Sequence, residues 1–184
     1  MTATRTPRVL LDAAGVEQTL LRLARRIAEW GETSDLLLVG IRRRGAELAD
    51  RLARALSEIG VGPIPTGSLD ITLYRDDFAQ IGPRPLIGTT EIPGDITGRR
   101  VVIVDDVLHT GRTVRAALNE LADFGRARRI ELCALVDRGG RELPIRADHV
   151  GLSVDVGSGE EVAVRVPELD GELAVAIVPV GGSV

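Results

Sequence analysis

Three stretches of this chain are apolar almost without interruption: Leu36–Ile41 (LLLVGI), Val101–Val104 and Ile130–Val136. Runs this short, rich in branched residues and bounded by polar ones, predict strands buried on both faces. Elsewhere the pattern alternates. Leu69, Ile71 and Leu73 take every second place in Ser68–Asp77, as in a half-buried strand. Glu161–Val166 alternates too, and with Leu173–Val178 it predicts a hairpin turning at Asp170-Gly171 and stopped by Pro179. Short strands are expected at Val9–Leu11 and around Val150. Helical spacing fills the gaps. Val16, Leu20, Leu23, Ala24 and Ile27 form the stripe of a helix running from a cap at Asp12 to about Trp30. Ala46–Ile59 reads as a second helix, and Val114, Ala117, Leu118 and Leu121 mark a third. Buried strands alternating with amphipathic helices make an α/β chain around a mostly parallel central sheet flanked by helices. No linker or repeat divides it, so residues 1–184 read as a single domain.

In an open α/β sheet, ligands bind beyond the carboxyl ends of the strands, and here those ends carry the chemistry. Val101–Val104 ends in the paired carboxylates Asp105 and Asp106, followed by Thr110-Gly111-Arg112-Thr113 and a helix start. The turn and first helical turn offer N–H groups and two hydroxyls to a phosphate, aided by the helix dipole. The carboxylates would repel that phosphate; vicinal ribose hydroxyls, met directly or through Mg²⁺, suit them. Leu36–Ile41 leads into Arg42-Arg43-Arg44, which reads either as solvated or as a fork-bearing partner for pyrophosphate. The segment at about 75–98, with Tyr74 and Arg75 at its base, contains Pro83, Pro85 and Pro93 and little periodicity. It reads as a lid loop or hairpin over the site, or as a surface excursion. Ile130–Val136 opens into a polar, glycine-containing loop, Asp137–Asp148. On the first helix Arg22, Arg25 and Arg26 stand with Glu17 and Glu29, either a solvated face or part of a phosphate-binding surface.

Composition removes several chemistries. All 23 basic residues are arginine, which excludes Schiff-base, lysine-base and Walker-type lysine mechanisms. Cys133, the single cysteine, sits in an apolar run and reads as a small core residue. Aromatics are 2%, too few for a base-stacking platform. The net charge of −4 means that nucleic-acid binding requires a local arginine patch. The amino terminus has no apolar segment of signal-peptide type, so cytoplasmic location is the default expectation.

The unit Val101–Thr113 resembles the phosphoribosyl-pyrophosphate (PRPP) motif of the type I phosphoribosyltransferases. Four segments together are more specific: GIRRRG at Gly40–Gly45, DITLYRDD at Asp70–Asp77, VDDVLHTGRT at Val104–Thr113 and LVDRGGRELPIRAD at Leu135–Asp148. In order and spacing they look like the PyrR family of pyrimidine-operon attenuators that double as uracil phosphoribosyltransferases, over about residues 9 to 150. The resemblance implies the type I phosphoribosyltransferase fold with a flexible lid. It implies UMP synthesis from uracil and PRPP with Mg²⁺, and binding of pyrimidine-operon leader mRNA under the control of UMP and UTP. A homodimer, or a larger assembly, is expected.

Carried over by position, Asp105 and Asp106 hold the ribose hydroxyls and Thr110, Gly111, Arg112 and Thr113 the 5′-phosphate, with Val107, Leu108 and His109 completing that loop. Arg43 and Arg44 take the pyrophosphate, Arg75 is the lid's anionic contact, and Val136, Asp137 and Arg138 lie near the base. Asp105, Asp106, Arg44 and Arg75 form the catalytic set; Arg22, Arg25, Arg141 and Arg146 are the RNA candidates. Departures are Arg43 where the family usually has threonine, His109 for tyrosine, Gly140 for histidine and Leu152 for a lysine, with Glu17 replacing a more basic or polar residue. Two alternatives stay open: an RNA regulator with decayed catalysis, and a purely metabolic phosphoribosyltransferase.

Overall fold

The computed structural model describes residues 7–71 and 89–181. Its strands fall into two sheets. The two-faced apolar runs make the centre of the larger one: Leu36–Ile41 (β2), Arg100–Leu108 (β4) and Arg129–Asp137 (β5). Thr66–Leu69 (β3) and His149–Ser153 (β6) are its edges, and the order β3-β2-β4-β5-β6 is parallel throughout. The smaller sheet, β1-β8-β7, is antiparallel, built from Arg8–Leu11 (β1), Glu160–Arg165 (β7) and Ala174–Pro179 (β8). Its pairing Arg8↔Ile177 brings the start of the chain to its last strand.

Strand alternation divides the core into two layers. Leu36, Leu38, Val102 and Val104 face the helices Ala13–Glu29 (α1) and Arg44–Glu58 (α2), where Leu20, Leu23, Leu48 and Leu52 meet them. Leu37, Val39, Val101 and Ile103 face the other way, onto Val114, Ala117 and Leu121 of Arg112–Leu121 (α3). The small sheet closes over the first layer through Val164, Val166 and Val175. Each side chain of this size withdrawn from water is worth roughly 1.5–3 kcal/mol, so both faces of the sheet are load carriers. At the ligand edge α2 begins unusually close to the sheet. A Cβ at Gly45 would lie 2.6 Å from the Val104 carbonyl oxygen, and one at Gly40 would lie 2.3 Å from that of Gly45. Only glycine at both places lets the helix start pack against β2 and β4.

Several expectations are corrected. β4 does not stop at Val104 but runs to Leu108, so the acidic pair lies within the strand rather than after it. The strand expected at Ser68–Asp77 begins earlier, as Thr66–Leu69, with Asp70 and Ile71 outside it; residues 72–88, with Leu73, Tyr74, Arg75 and most of the 75–98 segment, lie outside the described residues. On α3 Val114, Ala117 and Leu121 are buried as expected, Ala116 and Glu120 join them, and Leu118 is 37% exposed. The β7–β8 hairpin pairs as expected, but its connection contains a helical turn, Pro167–Asp170 (α4), before Gly171.

At the opposite, amino end of the sheet lies a buried ionic cluster. Arg100 donates from Nε and Nη2 to the two Glu131 oxygens at 2.7 and 2.9 Å, and Nη2 also reaches the Ile27 carbonyl. His149 Nε2 is 2.8 Å from Glu131 Oε2, and its ring meets Trp30 edge-on at 4.8 Å. Cys133, in the core, has its thiol pushed up to about 12 by burial, which suits an inert packing role. Among the described residues no helix is long and apolar enough to cross a membrane.

Candidate functional site

Successive strand residues point to opposite faces, and β4 uses this at its carboxyl end. Asp105 follows Val101 and Ile103 toward the α3 layer and is 4% exposed. Asp106, half-buried, turns toward the α2 side, where its charge acts on Arg44. Each carboxyl oxygen is braced by the next peptide: Asp106 N donates to Asp105 Oδ1 at 3.0 Å and Val107 N to Asp106 Oδ1 at 2.8 Å. Burial, and then the neighbouring Asp106, push the Asp105 carboxyl well above the usual carboxylate range. Both aspartates line a cavity of about 260 Å³ together with Arg43, Arg44, Val107 and Thr113. Six of the site residues expected from the sequence therefore meet in one place.

The cavity floor is the turn between β2 and α2. Its Arg42–Arg43 peptide bond is cis, and Arg43 is the N-cap position of α2. Arg42 is tied away from the cavity centre, donating from Nε to Ser68 Oγ at 3.0 Å. Arg44 is held as well: Nε donates to Asp170 Oδ2 at 3.1 Å and Nη2 to Asp170 Oδ1 at 2.8 Å. Asp170 comes from α4, the helical turn that joins β7 to β8, and nothing in the local sequence around Arg44 announces it.

Thr110, Gly111, Arg112 and Thr113 form the turn into α3, with Gly111 at φ 93° as its N-cap and Thr110 Oγ1 accepting from Arg112 N at 3.3 Å. Arg112 also reaches Glu142 across the loop at 2.7 Å. Leu108 and Val136 are placed differently from the expectation of ligand contact. Both side chains are core, 1% and 0% exposed, leaving only their main chains toward the site. Asp137 is bent into its own loop, accepting from Gly139 N at 2.9 Å and from Arg141 Nη2. Burial raises its carboxyl, but Arg141 and the Gly139 N–H outweigh that and hold it below the ordinary range. Arg138 donates to the Glu160 carbonyl at 3.4 Å, while its buried Nε has no hydrogen-bond partner among the described residues. Arg75 lies outside the described residues.

Two of the departures read from the sequence turn out to touch. A Cβ at residue 140 would lie 2.8 Å from His109 Nε2, and Gly140 has φ +72°. The imidazole thus occupies the space a side chain at 140 would need. Burial, with Arg138 next, holds His109 below its ordinary value, so it is neutral near pH 7.

The four RNA candidates separate. Arg22 and Arg25 line a groove of about 380 Å³ between α1 and β6, joined by Arg26, which the sequence reading set on the helix face without selecting it. Arg22 Nη2 reaches the Gly151 carbonyl and Arg26 Nη1 that of Val150, both at 3.3 Å. Glu17 is not in this groove; it pairs with Arg51 at 2.8 Å in a neighbouring one. Arg141 is a strut rather than a free contact: it donates to the carbonyls of Leu108, His109, Gly139 and Ile145 and to Asp137. Arg146 is exposed on the same loop.

For Mg²⁺ the carboxylates lining the cavity are Asp105, Asp106 and Asp70, and among the described residues no group of three metal-ligating side chains forms a cage. That fits an ion held by one or two carboxylates together with substrate phosphates and water, and not a resident structural metal.

Comparison with known proteins agrees with this geometry. Residues 10–170 match the phosphoribosyl transferase domain family. The chain is 56% identical over 163 residues to the Bifunctional protein PyrR of Roseiflexus sp. (strain RS-1), covering 88% of this chain and 89% of that one. It is 54% identical over 164 residues to the Bifunctional protein PyrR of Thermus aquaticus, covering 89% and 91%. Among solved structures, the hypoxanthine phosphoribosyltransferase of Trypanosoma cruzi superposes with a TM-score of 0.68 over 94% of this chain and 96% of that one, at 20% identity. At that identity the likeness is one of fold.

Proposed function

The chain belongs to the phosphoribosyl transferase domain family, within its PyrR proteins, and from that premise we propose that it both makes UMP and senses it. It converts uracil and PRPP to UMP and diphosphate, and as a uridine-nucleotide sensor it binds pyrimidine-operon leader mRNA and attenuates transcription. The observation that carries the reading is the meeting of Asp105 and Asp106 with Arg43, Arg44 and Thr113 around one cavity at the carboxyl edge of the parallel sheet.

The division of labour follows charge. The turn Thr110–Thr113 takes the 5′-phosphate, with main-chain N–H groups at the α3 start and the threonine hydroxyls as donors. The acidic pair takes the ribose hydroxyls. Burial and the neighbouring Asp106 push the Asp105 carboxyl up, which favours its uncharged form and lowers the negative charge that the pair presents to PRPP. Breaking the C1–oxygen bond moves negative charge onto the departing diphosphate and positive charge onto the ribose ring. Arg43 and Arg44 stand where the first develops, and the acidic pair where the second does. Mg²⁺, arriving with PRPP, supplies further neutralisation of the diphosphate oxygens. Uracil is oriented from the Asp137–Arg138 side. No side chain acts as a nucleophile, consistent with a chain that has no lysine and a deeply buried cysteine.

The RNA face is the arginine groove of α1, with Arg22, Arg25 and Arg26. The alternative of a purely metabolic enzyme draws on His109 and on Glu17, and the pairing of Glu17 with Arg51 outside that groove favours the regulatory reading. We take residues 1–184 as one domain, working in the cytoplasm as a homodimer. Uracil, PRPP and Mg²⁺ incubated with the protein are expected to give UMP, with guanine and hypoxanthine unreactive. No UMP at any PRPP concentration would leave only the regulator with decayed catalysis.

A further inference from the structure

Arg44 carries a contact that the reading above does not use. Its guanidinium is gripped along one edge by both oxygens of Asp170, at 3.1 and 2.8 Å. The grip is anchored at the other end. Asp170 Oδ2 also accepts from Val166 N at 2.9 Å, locking the carboxylate into the helical turn that joins β7 to β8. With 19% of its side chain exposed, Asp170 is more enclosed than an ordinary surface partner, and the double hydrogen bond fixes the plane of the guanidinium as well as its place. An arginine has five N–H donors, and this grip uses two. Arg44 meanwhile belongs to the cavity wall beside Asp106 and Arg43. Asp170 itself is not among the residues lining that cavity.

We propose that Asp170 is a positioning residue for the diphosphate half of the reaction: it holds Arg44 by one edge so that the other edge meets the diphosphate group of PRPP as it leaves. This rests on the cavity being the PRPP site. An unheld arginine loses rotamer freedom when it is fixed on a ligand. Here that freedom is already lost in folding, and the donors stand in place as charge develops, the condition under which preorganised groups lower a barrier. The second sheet thereby contributes to the site through its hairpin connection, although none of its strands touches the cavity.

Binding of Mg-diphosphate and of UMP to the intact protein, with steady-state kinetics alongside, tests this. Asp170→Asn keeps an oxygen but replaces half of the fork with an amide. It is expected to weaken Mg-diphosphate binding at least 5-fold and to raise KM for PRPP, with UMP binding and KM for uracil unchanged. Arg44→Lys, which cannot be gripped along two bonds, is expected to show the same loss, and the double variant to be no worse than either single one. Equal weakening of diphosphate and UMP, or no weakening of diphosphate, overturns the positioning role. Should Asp170→Asn fold poorly, Asp170→Ser, which retains an acceptor for Val166 N, repeats the comparison with the same criteria. Wild-type protein that binds UMP but no Mg-diphosphate would remove the site assignment, and this proposal with it.

Discussion

Asp105 and Asp106 are neighbours in sequence with opposite surroundings, and that difference comes from nothing more than the period of a strand. One is sealed against the α3 layer; the other looks toward Arg44. His149 shows the same sensitivity to place. Nothing in the sequence marks a partner for it, yet it is 2% exposed and bonded to Glu131. Burial outweighs the attraction of that carboxylate and holds the imidazole below its ordinary value near 6.5. A carboxylate only accepts, so the neutral ring must carry its proton on Nε2. The unfolded chain then takes up a proton before the folded one does as the solution is acidified. The contribution of His149 to stability is full above pH 6.5 and is lost as the pH falls below it. In urea titrations at a series of pH values, the stability advantage of wild type over His149→Gln is expected to shrink on acidification below that point. A difference that stays constant from pH 8 to 5 would contradict the assignment.

At the scale of elements, Arg141 is the side chain with the most ties in the loop after β5. Arg141 satisfies four carbonyls and Asp137 at once, tying residues 137–145 to the end of β4. Removing it leaves those acceptors without their donor, at about 1–3 kcal/mol for a buried group so stranded. Arg141→Ala is expected to lower stability by about 2 kcal/mol and to weaken nucleotide binding through the loop. Arg141→Lys should restore little of either, since an ammonium cannot span the same fork. Full rescue by lysine, measured by thermal unfolding and UMP titration, would mean that only the charge matters. This is also where sequence reading meets its limit. β2, β5 and α1 were legible because burial writes itself as period and run length. The end of β4 was not, because two aspartates look like a strand terminus whether or not the backbone goes on pairing. Arg141 looked like a free cation because its acceptors are main-chain carbonyls, which carry no residue signature. Asp170 looked like a turn residue because its partner lies 126 positions away.

The molecule as a whole joins two sites of opposite demand. Under the proposed function, the cavity at the carboxyl edge of the sheet takes a small anionic sugar and the α1 groove, with Arg22, Arg25 and Arg26, takes RNA phosphates on a chain whose net charge is −4. A local patch on an acidic background binds RNA mainly through phosphate contacts, so its affinity falls with salt. The path between the two is short. β6, whose Val150 and Gly151 carbonyls hold Arg26 and Arg22, pairs with β5, and β5 leads into the Asp137–Arg141 loop beside the cavity. The proposed function takes this run of paired strands as the route by which nucleotide in the cavity biases the groove. The most direct test is a titration of a pyrimidine-leader RNA hairpin at fixed salt, with and without saturating UMP. Tighter binding with UMP, lost in Arg22→Glu, is the predicted result; RNA affinity indifferent to UMP would contradict the account.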